Sequence, residues 1–233
     1  DELLYGGYSS ISLGYIGLFE LTKVMKGVSH TEKEGKIIAG NPAKIIGNVD
    51  EYLEKMYVEY PTLYNYDEIT KIPKLKITRD GYKKMGKDPS HTRPACEALL
   101  RRIVKGNSLY RLGDVIDVGN ILSILTLRSV CVVDLDKING DVVIRLGKKE
   151  DIYEGINRGL INVTNIPVYT DNIGPFGCPT SDTLRTCVTS STKRILAMII
   201  CFDESEKDLD EEKLVSLYKT FTKIKNMRKI GEN

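Results

Sequence analysis

With 233 residues, of which 41% are hydrophobic and 28% charged, the chain has an ordinary globular composition and room for one large domain or two small ones. Its longest apolar run, 195–202, has eight residues, less than half of what crosses a bilayer, so neither a membrane span nor a secretory segment is expected. Five cysteines without Cys-x-x-Cys spacing and only two histidines, His30 and His91, argue against a zinc site and a local Cys/His pair and favour a reducing cytoplasm.

The first third reads as short pieces with no shared core. Residues 5–17 are rich in Gly, Ser and Tyr, 18–25 read as a short helix ended by Gly27, and 36–47 as a strand, a Gly-Asn-Pro turn and a second apolar run. An amphipathic helix is predicted over 49–60, begun by Asp50. From residue 77 the pattern becomes coherent. Helices are predicted over 77–85, 92–105 (Cys96, Leu99, Leu100 and Ile103 at helical spacing, Gly106 as the stop) and 114–127. A strand over 130–134 and an antiparallel partner over 142–146 are expected across the Asn139-Gly140 turn signal. Further strands are expected within 162–169 and 186–202, and a last helix over 210–227 with Leu214, Leu217, Tyr218, Phe221 and Ile224 on one face. The fold class this implies is α+β, or α/β with a mixed sheet, for a domain of about 150 residues.

Charge is uneven. Residues 74–111 hold eleven basic side chains against three acidic ones, a local net charge of +8 that leaves −6 for the rest. Such asymmetry suits a polyanion, although solvated surface helices have the same look. Residues 174–186, Gly-Pro-Phe-Gly-Cys-Pro-Thr-Ser-Asp-Thr-Leu-Arg-Thr, combine turn residues with hydroxyls, a carboxylate and a guanidinium. The run suits either a site for an oxygen-rich ligand, with Cys178 as a candidate reactive thiol, or a structural turn whose side chains satisfy neighbouring backbone.

Five ordered blocks carry a resemblance: Tyr82-Lys83-Lys84-Met85-Gly86-Lys87-Asp88-Pro89-Ser90, the run from Arg93-Pro94-Ala95-Cys96-Glu97 to Arg101-Arg102, residues 117–123, Asp134-Leu135-Asp136-Lys137-Ile138, and 174–186. On these the chain from about 75 onward resembles free-standing relatives of the tRNA-binding and editing module of phenylalanyl-tRNA synthetase β subunits, the B-three/B-four domain. Residues 1–31 resemble an internal fragment of an anaerobic ribonucleotide reductase, without its radical motif or a catalytic cysteine. Residues 35–55 resemble the tail of a hexapeptide-repeat acyltransferase, without its repeats or a catalytic histidine. The organisation expected is therefore 1–34, 35–66 and a tRNA-binding, editing-type domain over 67–233.

The main resemblance implies hydrolysis of misacylated aminoacyl-tRNA in trans, with a non-catalytic tRNA- or RNA-binding module as the alternative. It implies tRNA or aminoacyl-tRNA as partner, neither DNA nor a membrane, and no cofactor or metal. Thr180, Ser181 and Thr186 are expected to orient water and substrate, Asp182 to hold the substrate amine, and Arg185 a phosphate or the ester oxygen. Lys83, Lys84, Lys87, Arg93, Arg101 and Arg102 are the expected tRNA contacts, the arginines being equally suited to local ion pairs with Glu97 and Asp117. The chain departs from the synthetase pattern in having Cys131 where a histidine is usual and Met198 where a glutamate is usual. Synthetase-type discrimination of tyrosine from phenylalanine is therefore not carried over. Leu127 and Cys131 stand near positions where glycines are expected, as fillers of the pocket.

Overall fold

A computed structural model of the protein describes residues 48–229. The two amino-terminal elements expected within 18–47, residues 1–34, and all but the end of 35–55 lie outside the described residues.

Two strands, β1 (Ser129–Asp134) and β8 (Ile195–Ile200), pair antiparallel at the centre, with Cys131 opposite Met198. Both are apolar along nearly their whole length, so each needs cover on both faces. One face of the ribbon, with Val132, Ile195, Ala197 and Ile199, packs on a helical layer. That layer comprises α1 (Val49–Leu63), α3 (Ala95–Val104), α4 (Asp114–Thr126) and α5 (Lys207–Phe221). The other face, with Cys131, Val133, Leu196, Met198 and Ile200, packs on Tyr169 and Phe176 of a four-stranded sheet. Its strand order is β2 (Val143–Leu146), β5 (Pro167–Thr170), β6 (Pro175–Cys178), β7 (Ser181–Asp182). A hairpin of β3 (Glu154–Gly155) and β4 (Gly159–Leu160) borders β7 through a bridge from Gly155 to Thr183. Helices, ribbon and antiparallel sheet form an α+β fold.

The expected pairing of the first two strands does not occur. β2 is exposed at Val143 and Leu146 and cannot cover β1, whereas β8 is buried throughout and can. A 3-10 turn, Leu135–Lys137, carries the chain off the ribbon, and the Asn139 N–H then donates to the Asp171 carboxylate at 2.9 Å. Gly140 does adopt a turn conformation at φ 78°, but the turn leads β2 to β5. The strands within 162–169 and 186–202 shrink to Pro167–Thr170 and Ile195–Ile200. The last helix ends at Phe221, and α3 starts three residues later than expected because Pro94 forms its cap.

Helix α1 begins at Val49 as expected but is capped by Asn48, not Asp50: the Asn48 Oδ1 accepts the Glu51 N–H at 3.0 Å. Val49, Leu53, Met56 and Tyr60 enter the helical core. Helix α2 (Pro73–Lys84) opens with proline at its first position and buries Leu75, Thr78 and Tyr82.

Gly119 is where α4 and the ribbon come closest. A Cβ there would lie 2.8 Å from Val132 Cγ2 and 3.2 Å from the Tyr218 hydroxyl. Gly119→Ala is expected to cost about 1–3 kcal/mol through overpacking, read as a lower urea midpoint with an unchanged slope.

Candidate functional site

Strands β6 and β7 are joined by Pro179 and Thr180, and this corner is anchored to the helical layer from two sides. The Ala95 N–H, one of the unpaired donors in the first turn of α3, donates to the Pro179 carbonyl at 2.8 Å. The Ser129 hydroxyl donates to the same carbonyl at 2.9 Å. From the far side the Tyr153 hydroxyl donates to the Ser181 carbonyl, and the Ile156 N–H to the Asp182 carbonyl at 3.0 Å. The Cys178 thiol also donates to the Ser181 carbonyl, at 3.2 Å.

Asp182 stands opposite Gly177 in the β6/β7 register. A Cβ on Gly177 would come within 3.0 Å of Asp182 Oδ1 and 2.6 Å of the Tyr169 ring, so only glycine leaves space for both groups. Burial pushes the Asp182 carboxyl up to about 7, with the facing Cys131 thiol giving a smaller opposite pull. The thiols of Cys131 and Cys178 are themselves pushed up, chiefly by burial, as are the phenols of Tyr82, Tyr153 and Tyr169. Burial that keeps a thiol protonated disfavours the nucleophilic thiolate, which argues against Cys178 as a nucleophile. The five cysteines form no disulfide.

Near the β6/β7 corner three buried hydroxyls lack a partner at full hydrogen-bond geometry, those of Tyr82, Tyr169 and Thr180. The Tyr82 and Thr180 hydroxyls are close enough to interact, a weaker pull on the Tyr82 phenol than the upward push of burial, and Tyr169 feels the charges of Cys131, Cys178, Tyr82 and Asp182. Leaving a hydroxyl buried and unpaired costs about 1–3 kcal/mol, so these groups have hydrogen-bonding capacity to spare. Cys131 and Met198, the two departures from the resemblance, are cross-strand partners at the edge of this cluster. Soft, weakly polar side chains thus meet where two strong hydrogen-bonding groups were expected. Leu127 packs on the helical core and not here. It caps α4 at φ 55°, a left-handed conformation that glycine adopts more easily.

The other loop residues are engaged. Arg185 makes a two-pronged ion pair with Asp171 at 2.9 and 3.0 Å and donates to the Gly174 carbonyl at 3.2 Å. The Asp171 carboxyl is held below its usual range: burial opposes this, but Arg185 and the N–H groups of Asn139, Ile173 and Gly174 outweigh it. Thr183 and Thr186 both donate to the Phe176 carbonyl, at 3.0 and 3.4 Å. The Ser181 hydroxyl turns to the Asp182 carbonyl at 3.3 Å. Arg185→Ala is expected to lower stability by about 1–3 kcal/mol, less than a fully buried pair would lose because Asp171 keeps its three backbone donors. Urea unfolding checks it.

Of the expected RNA contacts, Lys83 and Lys84 are exposed at the end of α2. Lys87 donates to the carbonyls of Asn162 and Thr164, both at 2.9 Å. Glu97, 1% exposed, collects Arg79 at 2.7 Å, Arg101 at 2.8 Å and Arg93 at 3.5 Å. Arg111 pairs with Asp117 at 2.9 Å and also with Asp50. Much of the charge counted over 74–111 is therefore spent inside the fold. Arg102 instead donates to the Ser108 carbonyl at 2.6 Å.

A cavity of about 80 Å³ lies apart from the polar cluster, between β8 and α5, with Ala197, Leu214, Tyr218 and Met227 in its lining. Among the described residues there is no group of His, Cys, Asp and Glu suited to a metal, and no helix long and apolar enough to cross a membrane.

Tyr82, Tyr153 and Tyr169 are candidate-site residues that the sequence reading did not single out, and Gly177 lay in the 174–186 run without a role assigned to it. Tyr82 stood in a resemblance block. Tyr153 and Tyr169 carry no local signal, since only the sheet brings them to β7.

An antiparallel sheet that closes a buried polar cluster over a central ribbon, with helices behind it, defines the class as an α+β domain. Residues 77–222 match the family model of the B3/4 domain, and the chain belongs to that family. It is the family found in phenylalanyl-tRNA synthetase β subunits, where it is associated with tRNA binding. A search of curated proteins found no match.

Proposed function

We propose that the chain hydrolyses misacylated aminoacyl-tRNA in trans, with the ester held at the β6/β7 corner. The observation that carries this reading is a carboxyl pushed up to about 7 on a β6/β7 corner that also holds the buried hydroxyls of Tyr82, Tyr169 and Thr180, none at full hydrogen-bond geometry with the rest of the fold. Ester hydrolysis needs a proton acceptor for the attacking water and donors for the oxyanion that forms, and a general base works best with a pKa near the working pH. Asp182 takes the water proton, Thr180 and Tyr82 donate to the developing oxyanion, and the proton returns to the departing ribose oxygen. At neutral pH Asp182 is only partly ionised, which suits proton transfer better than a permanent salt link to the substrate amine. Arg185, Thr183 and Thr186 hold the corner in place, and Ser181 supplies backbone to the strap from Tyr153.

The saturation of Arg185, Thr183 and Thr186 by internal partners favours a second reading, a tRNA-binding module with a structural loop. A panel of mischarged tRNAs separates the two. Release of amino acid above the spontaneous rate for one pairing, lost in Thr180→Val, supports hydrolysis. Binding without release from any member of the panel supports the module.

A further inference from the structure

We propose that the carboxyl-terminal end of α3 is a stacking platform for unpaired RNA nucleotides, built from Arg102 with Tyr110 and from Lys105 with Tyr66. It rests on the reading that the chain handles RNA, and it assigns a part of the surface that the hydrolytic site does not use.

The Arg102 guanidinium lies 4.3 Å from the centre of the Tyr110 ring and is fixed there by its bond to the Ser108 carbonyl. Tyr110 is 72% exposed, unusual for a side chain of its size, and Leu112 beside it is 64% exposed. Around the edge of the same turn the Lys105 ammonium lies 4.4 Å and the Arg101 guanidinium 4.7 Å from the centre of the Tyr66 ring. Arg101 is neutralised by Glu97, but neither Arg102 nor Lys105 forms an ion pair among the described residues. Both uncompensated cations of this helix end therefore sit on aromatic faces. Hydrogen bonds from Lys105 and Arg101 also draw the Tyr66 phenol below its ordinary value.

Flat guanidinium and phenol faces with adjacent unopposed cations suit bases that are free to splay out and the phosphates that join them. Tyr66 is half-buried against the helical core and Tyr110 is the open ring; a duplex offers its phosphates but not its base faces, so Tyr110 would gain nothing from it. Position supports the assignment. Helix α3 is ten residues long, about 15 Å. Its first N–H holds the Pro179 carbonyl next to Thr180, so the platform and the polar cluster lie at opposite ends of one rigid helix. A strand bound at the platform can run along α3 towards the cluster.

The test uses the full chain and a fluorescent oligoadenylate of about twelve nucleotides carrying no amino acid, read by anisotropy over a salt series, with the same sequence as a duplex and inorganic polyphosphate as comparisons. The single strand is expected to bind tighter than either. Tyr110→Ala should weaken it about 5- to 100-fold and Tyr110→Trp should restore it. Lys105→Glu should weaken binding and flatten its salt dependence by about one unit of slope. Lys148→Glu, a charge change on an exposed loop of the sheet layer, should leave affinity within about twofold. Equal affinity for strand, duplex and polyphosphate, or unchanged binding in Tyr110→Ala, overturns the proposal and leaves Arg102 and Lys105 as dipole-compensating residues of the helix end. Because the probe carries no ester, its failure leaves the hydrolytic reading intact, and absence of deacylation leaves this one intact.

Discussion

Asp182→Asn is expected to lower single-turnover deacylation by about 10²- to 10⁴-fold, the usual contribution of a positioned general base, while making the protein more stable at pH 8. The two effects have one cause. Burial raises the folded-state pKa of Asp182 to about 7 from an ordinary carboxylate value, so the folded state binds the proton more tightly than the unfolded chain. The sign follows from linkage. The native state's advantage from this group is complete at pH values below the unfolded pKa, declines as pH rises between the two pKa values, and is gone above about 7, where a charged carboxyl must be kept in the interior. At pH 8 the neutral amide avoids that cost, on the order of 2–4 kcal/mol after allowance for the partial exposure of the residue. Asn should therefore raise the urea midpoint at pH 8 and change it little at pH 4. Loss of activity with gain of stability is the pattern of a group kept for its chemistry. A structural Asp182 would give loss of both.

Glu97→Ala is expected to be the most damaging single change to the fold, about 3–5 kcal/mol, or a fall in Tm of roughly 10 °C for a protein of this size. Glu97 is 1% exposed and accepts from Arg79 and Arg101, whose side chains are only 14% and 13% exposed. Removing the carboxylate leaves two guanidiniums facing each other in the interior, with Arg93 nearby. The damage should spread to the site, because α3 carries both this cluster and the N–H that holds Pro179. Glu97→Gln keeps the volume but not the charge and should fall between wild type and Ala. Thermal unfolding of the three proteins at pH 7 checks the order; an Ala variant within 1 °C of wild type would show the arginines to be independently solvated.

The helices were largely legible from apolar spacing, as in 95–104 and 207–221, but their starts were not: the helix expected over 77–85 begins four residues earlier, at Pro73, and Asn48 rather than Asp50 caps α1. The ribbon was legible as two apolar runs but not as a pair. Nothing local distinguishes β8 from β2 as the partner of β1. Burial on both faces decides it, and burial is a property of the whole fold. The Asn139-Gly140 signal predicted a turn correctly and its hairpin wrongly, since a left-handed residue fixes a change of direction and not what the next strand meets. At the site, the run 174–186 stood out by composition. Composition could not divide it into a carboxyl and a hydroxyl facing inward, Asp182 and Thr180, and an arginine tied down by Asp171. That division depends on Asp171, Tyr82, Tyr153 and Tyr169, which reach the corner only through tertiary packing. The charge count over 74–111 likewise did not separate paired from unpaired cations: the ion-pair alternative with Glu97 holds for Arg93 and Arg101, and Arg79 joins them, while Arg102 and Lys105 form no ion pair among the described residues and lie beside exposed Tyr110 and half-buried Tyr66.

The most direct measurement is amino acid release from mischarged tRNA under single-turnover conditions, followed from pH 5.5 to 8.5 for the wild-type chain and for Asp182→Asn. Release is expected to exceed the spontaneous rate for at least one pairing, to rise with pH and level off above about 7 as Asp182 becomes the free base, and to lose that rise in the Asn variant. Release at the spontaneous rate for every pairing, or an enzymatic rate with the same pH profile in both proteins, would contradict Asp182 as the base of an aminoacyl-tRNA hydrolase.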